Sequence, residues 1–154
     1  MRRVNSSIKL SLLECIDSKR DKWKVRWDEQ KLYDMYTYEE QGFDHKPSLQ
    51  EIQDLIYSYY NKQTENKIIN DFEWNNKEFY LSKENQINYQ MYHNAILSGS
   101  MRFPLRVKLK DNSYMEFNTN GLYEDFYSNI LRHINKCLQE GWNLKDNINW
   151  KEYE

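Results

Sequence analysis

The chain has 154 residues, a length typical of one domain that buries its own core. Only 39% of its residues are apolar, but aromatic residues make up 16%, and a few buried rings can build a core. The net charge of −2, with acidic and basic residues interspersed, disfavours a nucleic-acid partner, and no apolar run predicts a signal peptide or a membrane span.

Cysteine, glycine and proline usage adds two expectations. Cys15 and Cys137 are isolated, with no CxxC spacing, so we expect reduced thiols in a chain made in the cytosol, with a disulfide between them as the alternative. Four glycines and two prolines are too few for long flexible linkers.

The N-terminal third is predicted to form strands. Residues 8–12 and 23–27 alternate apolar and polar side chains, as a half-buried strand does, and the polar residues 17–21 between them favour a hairpin turn. The tyrosine-rich residues 32–38 suggest a third strand. Residues 42–47 break the pattern.

A long helix is predicted next. Ser48 and Glu51 have the spacing of a capping box, in which each residue bonds the other's backbone N–H. Apolar residues then recur at helical spacing, and we expect the helix to reach about Asp71. Its polar middle, residues 61–66, leaves a break there as the alternative.

Two hairpins, each followed by a helix, complete the prediction. Asn75 and Asn76 favour a tight turn between residues 72–74 and 78–81, and Ser82 begins a helix that Gly99 can terminate. Residues 105–110 alternate Leu or Val with Arg or Lys, turn at 111–112 and return through 114–117.

The last helix is predicted from an apolar stripe, and its end from a glycine. Leu122, Phe126 and Ile130 begin the stripe, which continues to Leu138. We expect the helix to end at Gly141, and the tail from Trp142 onward to pack against the protein because it keeps apolar residues.

These elements predict an α+β fold. An N-terminal antiparallel β segment is followed by α, β-hairpin, α, β-hairpin, α, with hairpins layered against helices. We assign residues 1–46 to the β segment and residues 48–154 to an α+β domain packed with it, in a single compact unit.

The sequence contains no recognisable catalytic pattern. His45, His93 and His133 are scattered and form no metal-binding motif, and the expected role of the latter two is as partly exposed helix residues. There is no GxSxG nucleophile motif and no glycine-rich phosphate loop, and the paired carboxylates are typical of solvated surface. We therefore expect a protein without catalytic residues, cofactor or metal, and not an enzyme.

One strand invites a nucleic-acid interpretation. Trp23 and Trp27 alternate with Lys24 and Arg26, and aromatic residues beside cations can bind single strands. In a strand, however, these two sets point to opposite faces. The pattern therefore favours a core strand over a nucleic-acid site.

The start of the second predicted helix is unusually rich in carboxamides. Asn85, Gln86 and Asn88 either bond the preceding hairpin to the helix or present a polar surface to a partner chain, and we favour the first. Asn85, Asn88 and Tyr89 share a helical face. The hairpin at residues 72–81 must fold back over the start of the second helix. A chain reversal at Gly141 would turn Trp142 back onto the last helix. We therefore predict one structural or interaction cluster: Trp74, Phe79, Asn85, Asn88, Tyr89 and Trp142.

Six segments of the chain together form a distinctive set: 71–74 (DFEW), 79–89 (FYLSKENQINY), 103–108 (FPLRVK), 125–127 (DFY), 138–146 (LQEGWNLKD) and 150–154 (WKEYE). Through these segments, residues 48–154 resemble a family of small uncharacterised proteins encoded by tailed bacteriophages and prophages of gut bacteria. The N-terminal strands match less well. The sequence also departs from the family in having Asp71 where glycine is expected and residues 101–103 where small residues are expected.

The family is distantly similar to a domain of unknown function attached to phage tail-fibre and tail proteins. The resemblance implies a viral structural or assembly protein, associated with the tail or head, that contacts other phage virion proteins as a homo- or hetero-oligomer. It implies a chain made in the host bacterial cytoplasm and located in the virion, and it supplies no catalytic residues. The alternative is a phage-encoded host-interaction protein, such as an inhibitor of a bacterial defence system.

Overall fold

The computed structural model describes all 154 residues. Its architecture is α+β and follows the predicted order, with an N-terminal antiparallel sheet, a helix, and two hairpins each followed by a helix. A short 3₁₀ helix lies at Trp150–Tyr153. The elements are β1 (Arg2–Ser6), β2 (Leu13–Asp17), β3 (Lys22–Leu32), β4 (Met35–Phe43), α1 (Leu49–Asn70), β5 (Phe72–Trp74), β6 (Lys77–Phe79), α2 (Lys83–Leu97), β7 (Leu105–Lys108), β8 (Tyr114–Phe117) and α3 (Asn120–Asp146).

The internal contacts divide the chain into two units. Unit 1 comprises residues 1–59 and 147–154, and unit 2 comprises residues 60–146. The division falls inside α1, and the C-terminal residues group with the N-terminal strands.

Unit 1 is built on a four-stranded antiparallel sheet with the strand order β1-β4-β3-β2. The predicted alternation at 23–27 lies in β3, and the predicted turn at 17–21 joins β2 to β3. Val25 and Trp27 are buried with Ile52 and Ile56 of α1. Burying these apolar side chains is the main stabilising contribution in this unit.

The strand predicted at residues 8–12 is wrong. These residues lie between β1 and β2, and Ile8 is 66% exposed. The segment is held by single hydrogen bonds, from the Leu10 N–H to the Tyr38 hydroxyl (3.1 Å) and from the Arg26 N–H to the Leu12 carbonyl (2.7 Å). A period-2 pattern forms a strand only beside a ladder partner, and β3 is already paired with β2 on one side and β4 on the other.

The strand predicted at residues 32–38 is misplaced, because a hairpin turn lies within it. Leu32 ends β3 and Met35 begins β4, with Tyr33 between them at a φ of 53°. Tyrosine seldom adopts positive φ, so sequence reasoning has no reason to place a turn there.

The basic face of β3 is not solvent-exposed at Arg26. That side chain is only 4% exposed and is paired with the carboxylates of Glu40 (2.8 Å) and Glu14 (2.7 Å). Both faces of the sheet are therefore covered at this point. A buried guanidinium is tolerated because carboxylates and the Ser11 carbonyl satisfy its donors.

The predicted capping box at the start of α1 is confirmed. The Ser48 N–H donates to the Glu51 carboxylate (2.8 Å), and the Glu51 N–H donates to the Ser48 hydroxyl (3.3 Å). The backbone bond from Ser48, with further bonds from His45 and the Ser48 hydroxyl, lowers the pKa of Glu51 to about 2. The helix then runs to Asn70 without a break at residues 61–66.

Unit 2 has an aromatic core centred on Phe126 of α3. The Phe126 ring centroid lies 4.8 Å from Phe79, 5.0 Å from Phe117, 5.3 Å from Tyr89 and 5.4 Å from Trp74. These rings come from both hairpins and from α2, so one residue joins all the elements around it. The burial of large rings compensates for the low apolar fraction of the chain.

The predicted β5–β6 turn and both predicted ends of α2 are confirmed. Asn75 and Asn76 have φ values of 50° and 58° in the β5–β6 turn, as a type I′ hairpin requires. The Ser82 hydroxyl accepts the Asn85 N–H (3.2 Å) at the start of α2, and Gly99 follows the helix at a φ of 71°.

The end predicted for α3 is wrong, because the helix continues through Gly141 to Asp146. Gly141 is buried, and a Cβ there would overlap the Thr64 hydroxyl and lie 3.2 Å from its Cβ and 3.3 Å from its Cγ2. The glycine therefore permits close packing between α3 and α1 and does not cap the helix. Trp142 accordingly stays helical and is 46% exposed.

Candidate functional site

A groove of about 490 Å³ in unit 2 is the candidate site, and it lies along α2 and β7. This volume falls within the range of roughly 300–1,000 Å³ found for ligand-binding sites. The helix side contributes Asn85, Asn88, Tyr89 and Tyr92, and the strand side contributes the consecutive residues 106–110. Tyr80, Asn112 and Tyr114 complete the lining.

The helix side is formed by residues three and four positions apart, which share one face of α2. The Asn85 amide donates to the Tyr80 carbonyl (2.6 Å) and so attaches the helix start to the end of β6. Asn88 is exposed and makes no hydrogen bond within the chain. The two carboxamides therefore have different roles, although they lie one turn apart.

Tyr89 connects the groove to the core. Its side chain is buried against Phe126, and its carbonyl accepts the Tyr123 hydroxyl (2.7 Å). Burial, together with the neighbouring Tyr92, raises the pKa of Tyr89 to about 12. The helix wall of the groove is therefore fixed in position by core packing.

The strand side alternates buried apolar residues with exposed cations. Val107 and Leu109 are buried, and Arg106, Lys108 and Lys110 lie on the opposite face. The Lys110 ammonium donates to the Asn70 carbonyl (2.8 Å) and lies 3.9 Å from the Glu78 carboxylate. The Arg106 guanidinium lies 4.2 Å from the centre of the Tyr114 ring, and Lys108 has no ion-pair partner.

The groove is electropositive because no carboxylate lines it. Its lining includes three cations and three asparagines but neither Asp nor Glu. Arg106 and Lys108 form no ion pair, although Glu116 lies opposite Arg106 on β8, so the lining itself favours an anionic group.

One backbone edge of the groove is open. β7 pairs only with β8, and the Leu109 N–H donates to the Ser113 carbonyl across that ladder (2.8 Å). Hydrogen-bonded positions alternate along an antiparallel pair, so the backbone groups of Arg106 and Lys108 point to the other side. The Lys110 N–H, which points the same way, donates to the Glu78 carbonyl (3.0 Å).

The structure distributes the six residues of the predicted cluster over three places. Trp74, Phe79 and Tyr89 lie together in the core, where the Trp74 indole N–H donates to the Asp125 carboxylate (3.0 Å). Asn85 and Asn88 lie with Tyr89 along the groove. Trp142 lines a separate cavity of about 330 Å³ with Thr64 and Ile68, because the expected reversal at Gly141 does not occur.

Sequence reasoning missed the cationic wall of the groove. Arg106, Lys108 and Lys110 were assigned only to the polar face of a hairpin. A signal was present, since every exposed position of this strand is a cation and no acid interrupts the series.

The histidines and cysteines form no metal-binding cluster, although the Cys137 thiol lies 3.8 Å from Nε2 of His133. His93 stacks on Tyr127 (4.4 Å between ring centres), and His133 bonds the carbonyls of Lys67 and Ile68 (3.2 Å each). Cys15 is exposed and Cys137 is buried, and both are free thiols. No group of three or more His, Cys, Asp or Glu side chains is arranged to hold a metal ion.

Comparisons with known proteins found no match among family models, curated proteins or solved structures. None of the helices combines the length and the apolar character needed to cross a membrane.

Proposed function

We propose that the protein is a non-enzymatic structural or assembly component of a tailed-phage virion that acts through contacts with other virion proteins. In this proposal it is made in the host bacterial cytoplasm and assembles into the tail or head as part of a homo- or hetero-oligomer. The resemblance of residues 48–154 to phage-encoded proteins supports the viral origin.

The open edge of β7 inside the electropositive groove is the observation that carries the proposal. Unpaired backbone groups, exposed cations and a carboxamide without a partner are groups that a second chain can bind. Tyr80 and Tyr114 lie at the rim, about half exposed, and tyrosine is enriched in protein interfaces. Together these features support recognition of a macromolecule over turnover of a small one.

Quantitative mass spectrometry of purified particles tests the proposal. Particles banded by density and treated with high salt should retain the chain in a fixed ratio to the major capsid protein. The control is a lysate of cells that express the chain without the other phage genes, in which it should not sediment at the density of particles.

The contrary result is equally definite. If the chain is absent from particles and assembly intermediates, and instead co-purifies with a host protein early in infection, the virion role is rejected. The alternative of a phage-encoded inhibitor of a host defence system would then stand.

A further inference from the structure

We propose that the groove binds an extended acidic segment of a partner protein, which adds to the open edge of β7 as a third strand. The inference rests on the proposed function for the partner being a protein. It goes further in specifying the partner's conformation, its charge and the backbone groups it bonds.

The first step concerns the backbone. The N–H and C=O groups of Arg106 and Lys108 point away from β8, and no backbone hydrogen bond of the structure uses them. An added strand would pair with these groups at the usual ladder spacing. At one end of this edge the Lys110 N–H already bonds the Glu78 carbonyl, so β6 limits how far the added strand can extend.

The second step concerns charge. The side chains of Arg106 and Lys108 project from the same face of β7 because they are two positions apart. Carboxylates at every second position of an added strand would lie beside them on that face. Glu116 of β8 lies opposite Arg106 in the ladder but forms no ion pair with it, and Lys108 faces Tyr114, so both cations remain available to carboxylates of an added strand.

The third step concerns the opposite wall. Asn88 is exposed on α2 without a partner in the chain, and its amide can donate to or accept from the backbone of an added segment. Tyr89 and Asn85 are held by core packing and by the Tyr80 carbonyl, so this wall needs little reorganisation on binding.

An acidic peptide fits these observations better than a nucleic acid does. Single-stranded nucleic acids bind through exposed aromatic faces on which bases stack. Of the four tyrosines in the lining, Tyr114 has Arg106 over its face, Tyr89 is buried and Tyr92 packs against Tyr123, which leaves Tyr80 as a single half-exposed ring. Backbone N–H and C=O groups in strand register, in contrast, match another polypeptide.

Amide hydrogen exchange of the purified full chain tests the pairing directly. The probe is a seven-residue peptide with blocked ends that alternates Glu and Val, and the matched control alternates Lys and Val. The acidic peptide should slow exchange of the Arg106 and Lys108 amides by about tenfold or more, since both become hydrogen-bonded. The Val107 amide, which already faces β8, should change little.

Substitutions separate the contribution of charge from that of the backbone. Arg106→Glu should weaken binding of the acidic peptide by about tenfold, whereas Arg132→Glu, on the exposed surface of α3, should leave it unchanged. Lys108→Ala removes one charge, and Lys108→Pro also removes the outward N–H. Proline is tolerated at such an edge position, so the proline variant should fold and bind more weakly than the alanine variant.

The assignment is overturned if the two peptides bind equally, or if the acidic peptide leaves the Arg106 and Lys108 amides unprotected. It is also overturned if an oligothymidylate of eight nucleotides binds the groove more tightly than the acidic peptide does. The virion role fails separately: peptide binding by a chain absent from particles rejects that role only. A chain in particles that does not bind the peptide rejects the groove assignment only.

Discussion

Gly141 lies inside α3, where glycine usually weakens a helix by about 1 kcal/mol relative to alanine. Its position is explained by Thr64 of α1, whose side chain occupies the space that a Cβ would need. Glycine at this position therefore lowers helix propensity but allows α1 and α3 to pack closely in unit 2.

Replacement of Gly141 tests that explanation. Gly141→Ala should lower the free energy of unfolding by about 1–3 kcal/mol, because overpacking outweighs the gain in helix propensity. Adding Thr64→Ala to the Gly141→Ala chain should restore part of the lost stability. The control is Gly121→Ala, since a Cβ there meets nothing within 4 Å. Urea denaturation measures the stability of the natural chain and of each variant. Equal stability of Gly141→Ala and Gly121→Ala would contradict the packing role.

Glu40 is the acidic centre of the buried ion cluster in unit 1. Its carboxylate lies 2.8 Å from Arg26, 3.0 Å from Arg2 and 3.2 Å from Lys24. Burial alone would raise the pKa of Glu40, but the hydrogen bonds from these three cations outweigh it and hold the pKa below the ordinary value of 4.5.

The lowered pKa sets the direction of the pH dependence. The stability that Glu40 contributes is fully present above pH 4.5 and is lost as the pH falls below that value, because the native state resists protonation. Glu40→Gln should lower the free energy of unfolding at pH 7 by about 3 kcal/mol. This is the lower end of the range for a broken buried ion pair, because the Glu14 carboxylate still neutralises Arg26.

Glu40→Gln also tests how the stability of the protein depends on acid pH. In thermal unfolding from pH 7 to pH 3, the difference between the natural chain and Glu40→Gln should shrink as the pH falls. Glu73→Gln, at an exposed residue without an ion-pair partner, should follow the natural chain throughout. A difference that stays constant with pH would show that the carboxylate charge does not matter.

Asn85 and Asn88 provide a matched pair on one helix. Asn85→Ala should lower the free energy of unfolding by about 0.5–1.5 kcal/mol, the net value of an exposed hydrogen bond, because the Tyr80 carbonyl exchanges its donor for water. Asn88→Ala should leave the melting temperature unchanged and weaken binding of the acidic peptide. Thermal unfolding and peptide titration of both variants measure this, and the reverse assignment of effects would contradict the roles given to them.

At the scale of elements, local patterns predicted most of the fold. The capping box at Ser48, the asparagine turn at 75–76 and the cap at Gly99 each depend on residues close in sequence, so the sequence specifies them directly. Two of the failures have non-local causes. Residues 8–12 alternate correctly but have no ladder partner, and Gly141 resembles a cap until Thr64 is known to lie against it.

The candidate site follows the same rule. The shared face of Asn85, Asn88 and Tyr89 was predictable because it lies within one helix turn. The opposite wall was not, since residues 106–110 reach the groove only through the packing of hairpins on the Phe126 core. Trp142 was placed with the cluster because of the supposed helix end, and the continuous α3 removes it.

At the scale of the whole molecule, the account depends on the groove contacting a virion protein in the assembled particle. A photo-crosslinking amino acid in place of Asn88 tests this most directly, because the residue is exposed, lines the groove and bonds nothing in the chain. The same substitution at Arg132 is the control. Irradiation of purified particles, followed by mass spectrometry, should link position 88, and not position 132, to an acidic segment of a virion protein. Capture of a host protein or of nucleic acid from position 88, or equal capture from both positions, would contradict the account.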